Sequence, residues 1–262
     1  MSAATNYFEA MCLNPLRGIP STAPAQVYVA LFLTVPDEEG VGTEVSGGGY
    51  QRQAVTFAEP AQSADLVTIA NTVSITFPTA LSPWGTVLAA AIFDSSTVGN
   101  MLHYISLPTP KEIVTGTTIS FVPNELTVTA SGTATTYWKK ACLNLFRGDS
   151  IAAIVNPRLA LFLDNPSNSG GGTEVSAADY ARQAITFNSP EEQDGGNMVM
   201  DNTSQIAFAR TATPWGTIPY LGVMSATSGG IMLFRAACNP VVTLGASDRF
   251  TVEAGGLKLT AN

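Results

Sequence analysis

Two acid–base pairs stand at the same spacing in this chain: Glu44 with Arg52, and Glu174 with Arg182, each eight residues apart. Both pairs bracket a stretch with turn character, SGGGYQ at 46–51 and SAADYA at 176–181. A carboxylate and a guanidinium facing each other across an antiparallel hairpin form a bidentate ion pair, which fixes geometry. We read both as structural ion pairs; the alternative is that each Glu coordinates a cation or touches a partner. The chain has one histidine, His103, inside the apolar string MLHYIS, and its counterpart later in the chain is Leu233 or Phe234. A single histidine without a cysteine cluster offers no zinc-type ligand set, and no G-x-S-x-G string supports a Ser–His–Asp triad. The glycines at 47–49 are followed by Tyr50, Gln51 and Arg52, not by the Lys and Ser or Thr of a phosphate loop, so they read as a turn that accepts positive φ. No catalytic, cofactor-binding or metal-binding residue is assigned.

The elements that carry these pairs occur twice. ALFL at 30–33, GTEVS at 42–46 and RQAVTF at 52–57 return as ALFL at 160–163, GTEVS at 172–176 and RQAITF at 182–187. The offset is 130 residues, and 131 by PWGT at 83–86 and 214–217. A period this long is a whole small domain, not a solenoid unit. The expected organisation is therefore two domains, 1–131 and 132–262, joined by the short ASGTAT segment at 130–135.

Each copy opens on a short helix. Thr5 or Asn6 can cap the first, and Pro15 and Gly18 end it; Thr136 can cap the second, and Gly148 ends it. Cys12 and Cys142 are equivalents on the apolar sides of these helices and read as small core residues, while Cys238 has no counterpart. Three cysteines do not make a disulfide framework. Beyond the helices the pattern is β. The runs VYVALFL at 27–33 and LALFL at 159–163 predict strands buried on both faces. Later strands are expected at 73–77, 84–93, 101–106, 118–122 and 126–129, with counterparts at 205–208, 215–224, 231–236, 249–252 and 257–260. Short strands separated by Gly, Pro, Ser and Asn indicate antiparallel packing. The fold class is mainly β: two similar antiparallel β-sandwich domains, each preceded by a short N-terminal helix. Phe32, Phe162, Trp84 and Trp215 are the expected core anchors. A sugar-stacking role for the tryptophans is the alternative. The loops that differ most between copies, PDEEGVG against PSNSGGG, place Asp37, Glu38, Glu39, Asn165 and Asn168 as candidate interface residues.

The net charge of −8 argues against a nucleic-acid partner, which requires clustered Lys and Arg. Residues 1–130 carry 3 basic and 10 acidic residues, a balance of −7, and residues 131–262 carry 9 and 10, a balance of −1. The copies kept one interior and diverged outside, so they are expected to face different surroundings; drift without consequence is the alternative. The opening MSAATNYFEAM lacks the basic and apolar regions of a signal peptide. The apolar runs are of strand length, far short of a membrane span. A soluble protein that stays in a reducing cytoplasm, or is assembled there, is expected.

The string of landmarks resembles a family of small phage and prophage virion proteins, usually labelled tail fibre or minor structural proteins. It is carried by the LNPLRG element at 13–18, ALFL at 30–33, GTEVSGGGYQRQAVTF at 42–57, FPTALSPWGT at 77–86, IFD at 92–94 and LTVT at 126–129. Members of that family are single copies, whereas this chain is a tandem fusion. The resemblance brings no catalytic residues. It implies a non-enzymatic virion protein on the particle surface, tail-associated or decorating the capsid, acting by protein–protein assembly. The expected partners are other copies of itself, for example a trimer whose six units match a sixfold tail or capsomer, and major virion proteins. A receptor- or carbohydrate-binding module that contacts a host-surface glycan is the alternative. Neither cofactor nor membrane is implied.

Overall fold

The computed structural model describes residues 2–193 and 196–261. The first repeat runs β1 (Ser2–Ala4), α1 (Asn6–Leu13), a 3-10 turn at Asn14–Arg17, β2 (Val27–Phe32), β3 (Gln53–Val55), β4 (Ala61–Ser63), β5 (Leu66–Ala70), β6 (Ile75–Thr76), β7 (Gly85–Phe93), β8 (Met101–Ile113), β9 (Ser120–Phe121) and β10 (Thr127–Ala130). The second runs α2 (Thr136–Asn144), a 3-10 turn at Leu145–Arg147, β11 (Arg158–Phe162), β12 (Gln183–Ala184), β13 (Glu191–Glu192), β14 (Met198–Asp201), β15 (Ile206–Ala207), β16 (Gly216–Met224), β17 (Met232–Leu244), β18 (Thr251–Val252) and β19 (Lys258–Thr260). All pairings are antiparallel. The larger sheet has the order β1-β8-β7-β2-β3 in repeat one and β12-β11-β16-β17 in repeat two. Facing it in each repeat are a three-stranded sheet, β10-β5-β4 or β13-β14-β19, and a two-stranded ribbon, β6-β9 or β15-β18.

The alternation along β2 explains why it reads as continuously apolar. Val29 and Leu31 enter the main core together with Val67, Ile69 and Phe121 from the smaller sheets. Ala30 and Phe32 point the other way, into a second cluster with Ala89, Ala91, Phe93 and Met101 on the outer face of the sheet. Phe162 repeats this beside Met224 and Met232. Both faces of the strand are thus buried in an antiparallel sheet.

Three local expectations are corrected. The second helix is capped from Thr135, not Thr136, and Thr135 donates its hydroxyl to the Met232 carbonyl (2.7 Å) instead of receiving a helix N–H. Thr5 does accept from the Phe8 amide (3.4 Å). The strand starting at Met101 does not stop near Ser106 but continues to Ile113. It does so because residues 107–110, with two prolines that cannot donate to the ladder, are bulged out between the Ala89–Ser106 and Val87–Lys111 pairs. The strand after Met232 shows the same bulge between Tyr220–Ala237 and Ile218–Val242. The strands expected at 73–77 and 118–122 shrink to the two-residue ribbon of Ile75–Thr76 and Ser120–Phe121.

Packing crosses the boundary between the repeats. One continuous core contains residues from Phe8 to Leu259. Each helix lies against the small sheet of the opposite repeat, α1 on β14 and α2 on β5 and β10. Phe8 meets Phe146 with ring centroids 4.6 Å apart, and Phe146 also meets Phe57 at 5.8 Å. Ser21 and Ile151, equivalents under the 130-residue offset, exchange both backbone hydrogen bonds at 2.9 Å. An element pairing with its own equivalent is the mark of an isologous, twofold contact. The chain is a two-repeat unit closed on an internal pseudo-dyad.

Candidate functional site

The repeated Glu–Arg pair does not span a hairpin. Glu44 bridges Phe32, and Gln53 pairs with Val29, so the two segments lie in line along one edge of β2 with residues 46–52 thrown outward between them. That excursion leaves the Leu31 amide without a strand partner. The Tyr50 hydroxyl accepts from it at 2.9 Å and donates to Glu44 Oε1 at 3.0 Å. Arg52 completes the arrangement by donating Nε to Glu44 Oε1 (2.9 Å) and Nη2 to Oε2 (2.8 Å). Its remaining Nη1 donates to the Ser95 and Val98 carbonyls at 2.9 and 2.6 Å. The guanidinium carbon sits 3.6 Å above the Phe93 ring. Repeat two reproduces the set: Leu161 N–H to Tyr180, Tyr180 to Glu174, Arg182 bidentate to Glu174 and single bonds to the Ala226 and Gly229 carbonyls. Burial, and then the neighbouring Glu carboxylate, hold both tyrosine hydroxyls well above their ordinary range, so they stay protonated donors. The arrangement positions backbone; it presents no nucleophile beside a free base.

The glycine run behaves as a turn. Gly47, Gly48 and Gly49 all have positive φ, and a Cβ on Gly48 would stand 2.8 Å from Trp84 Nε1. The Trp84 indole donates to the Gly48 carbonyl (3.0 Å). Where repeat two has Ala177, Ala178 and Asp179, the Trp215 indole donates to the Asp179 carboxylate (3.0 Å), which also receives the Ala212 amide. A side-chain acceptor replaces a backbone one, and the glycines become dispensable. Trp84, Trp215, Phe32 and Phe162 are all buried. In the variable loops, Asp37, Glu39 and Asn165 are exposed, while Glu38 and Asn168 are half-buried. Asn168 turns to the other repeat and donates to Asp65, and Asn165 accepts from Arg235 at 2.9 Å.

The junction holds ionisable groups that sequence reading passed over. Glu9 and Lys139 are equivalents, buried at one position of α1 and α2. Glu9 Oε2 accepts the Met198 amide (2.6 Å), whereas Lys139 Nζ donates to the Asp65 carbonyl (2.6 Å). The charge at each position matches the backbone group it meets on the opposite repeat. Burial, and further the Glu38 carboxylate, push the Glu9 carboxyl up to about 7, while its hydrogen bond from Met198 works against that shift. Burial pulls the Lys139 ammonium down. The only clue was a charged residue at matching places in two apolar stripes, YFEAMC and YWKKAC. Cys12 and Cys142 are free, buried thiols that line the same 250 Å³ junction cavity. Buried Asn71 and Asn202 were also missed: each amide donates to two loop carbonyls and accepts the amide just ahead of the last strand of its repeat, from Leu126 or Leu257. Their signal was an Asn kept at the 131-residue offset.

His103 sits on β8 opposite Ala4, at the place held by Phe234 in repeat two, and burial lowers its imidazole to about 3. Among the described residues no group of three His, Cys, Asp or Glu side chains could hold a metal ion. No helix among them is long and apolar enough to cross a membrane. A family model described as podophage GP4 fiber I protein gp80 matches residues 3–129 and again residues 133–260. No curated protein matches the chain.

Proposed function

The chain belongs to the podophage GP4 fiber I protein gp80 family, matched once per repeat, and is a structural component of a phage particle; from that premise we propose that it works on the particle surface by assembly, without catalysis. The single observation that carries this reading is the isologous junction, in which two family units share one core within a chain. The fused pair behaves as a rigid building block of two similar units. Three such chains supply six units, which suits a sixfold or pseudo-sixfold position on a tail or capsomer. The clasp built on Glu44 and Arg52, and its repeat built on Glu174 and Arg182, hold loops 94–100 and 225–230 in fixed conformations, ready to contact neighbours at little entropic cost. Quantifying the copies per purified particle tests the symmetry: a multiple of three is expected, and any other stoichiometry rejects it. Adsorption of the isolated protein to host cells or to a glycan array, with no binding to other virion proteins, would replace the assembly reading with receptor recognition.

A further inference from the structure

The two repeats differ at two places on their surfaces in opposite senses. Repeat two has an open cleft of about 540 Å³ between its larger sheet and its small sheets, floored by Leu221, Phe250 and Leu257. Its volume falls in the range of binding clefts, roughly 300–1,000 Å³. Two walls are sheet edges, since β17 and β19 are terminal strands of their sheets. Arg249 and Lys258 line it and are exposed, and no carboxylate lines it among the described residues. Among the described residues the Arg249 side chain has no hydrogen bond or ion pair, and the Lys258 ammonium has a 3.5 Å contact to Gln193. The equivalents of the two cations in repeat one are Thr118 and Thr127.

Repeat one carries the complementary feature. Its loop 35–41 is a closed turn, with the Asp37 amide bonded to the Val41 carbonyl (3.2 Å) and the Val41 amide to Asp37 Oδ1 (2.8 Å). Val35 and Val41 stand exposed at its two ends, and Asp37 and Glu39 are exposed between them. The equivalents in repeat two are Asn165, Gly171, Ser167 and Ser169, without charge or apolar bulk. None of the loop residues lines the cleft within one chain.

We propose that the acidic, valine-flanked turn 35–41 of one chain docks in the Arg249–Lys258 cleft of a second copy, so that repeat one is donor and repeat two acceptor in a head-to-tail contact. The valines meet the apolar floor and the carboxylates of Asp37 and Glu39 meet the two cations. Duplication has freed the two copies to specialise, and a heterologous contact of this kind builds a ring or a filament. The inference rests on the assembly reading and assigns it a surface.

The test is sedimentation velocity of the full chain from low to high micromolar concentration. Reversible association above the 27.3 kDa monomer is expected, weakening as salt rises from about 50 to about 500 mM. Glu39→Lys, and separately Arg249→Glu with Lys258→Glu, should each weaken it roughly ten-fold or more. In a one-to-one mixture the native turn of the cleft variant meets the native cleft of the turn variant, so association should be recovered as heterodimers. Cys238, half-buried in the cleft, should be alkylated more slowly in the associated state. A chain that stays monomeric overturns the proposal. So does a mixture that fails to recover association. Oligomers insensitive to both charge reversals would overturn this docking surface while leaving assembly itself standing.

Discussion

Arg52→Met removes the charge from one clasp and keeps the bulk of its stem. The side chain of Arg52 is 8 % exposed and that of Glu44 is 26 % exposed, so the pair is largely shielded from water. Three groups lose their donor at once: Glu44 keeps only Tyr50, and the Ser95 and Val98 carbonyls lose Nη1. Removing one partner of a buried pair costs about 3–5 kcal/mol, and the partial exposure of Glu44 puts the expected loss at the low end, about 3 kcal/mol. The shared core makes unfolding a single cooperative event, so this loss lowers Tm by about 6–12 °C in a chain of this size. Glu44→Gln with Arg52→Met should cost less than the sum of the single changes by about 1.5–3 kcal/mol, because the second substitution no longer strands a charge. Calorimetry gives both numbers, and amide exchange should show lost protection confined first to residues 94–100. A single-variant loss below about 1 kcal/mol, or strict additivity, would refute the account of the clasp as a shielded, loop-holding pair.

Glu9 supplies a pH dependence with a definite sign. Its carboxyl is raised from 4.5 to about 7 in the folded chain, so the native state binds the proton more tightly than the unfolded state. The stability this contributes is fully present below pH 4.5 and is lost as pH climbs through 7, by about 3 kcal/mol at 1.36 kcal/mol per unit. Glu9→Gln should flatten that part of the urea-denaturation profile, and an unchanged slope between pH 5 and 8 would contradict it. Gly48→Ala should destabilise by about 1–3 kcal/mol, since φ is +55° and the added carbon meets the Ser82 hydroxyl at 2.7 Å. The converse change in repeat two, Ala178→Gly, should shift thermal melting little. Asn71→Leu leaves two carbonyls and the Leu126 amide without a partner and should cost about 3 kcal/mol or more, read from equilibrium unfolding.

The repeat, the strand-rich class and most strand positions were legible because they depend on local pattern. VYVALF is apolar along its whole length because both faces of β2 are covered, and a run of that length between turn residues reads as strand wherever it packs. Gly18 and Gly148 end the first turns of each repeat in the left-handed conformation, as their residue type predicts. Glu44 and Arg52 meet across an outward excursion and not across the hairpin that their spacing suggested, and the partner loops at Ser95 and Ala226 lie 43 and 44 residues from their arginines, beyond any local signal. Tyr50 escaped notice because its task, satisfying the Leu31 amide, exists only once the neighbouring chain bulges away.

By itself the sequence determined that one fold occurs twice, that it is built mainly of strands, and that the two exteriors differ in charge. Only the tertiary structure decided that the copies are not beads on a string. Each helix is short and carries an apolar stripe wider than its own repeat can cover, so burial is completed by the small sheet of the other repeat. Periodicity shows that a face must be buried but never against what. For the same reason the match of Glu9 to an amide and of Lys139 to a carbonyl could be seen only in three dimensions, where backbone groups from 189 and 74 residues away arrive at two equivalent helix positions.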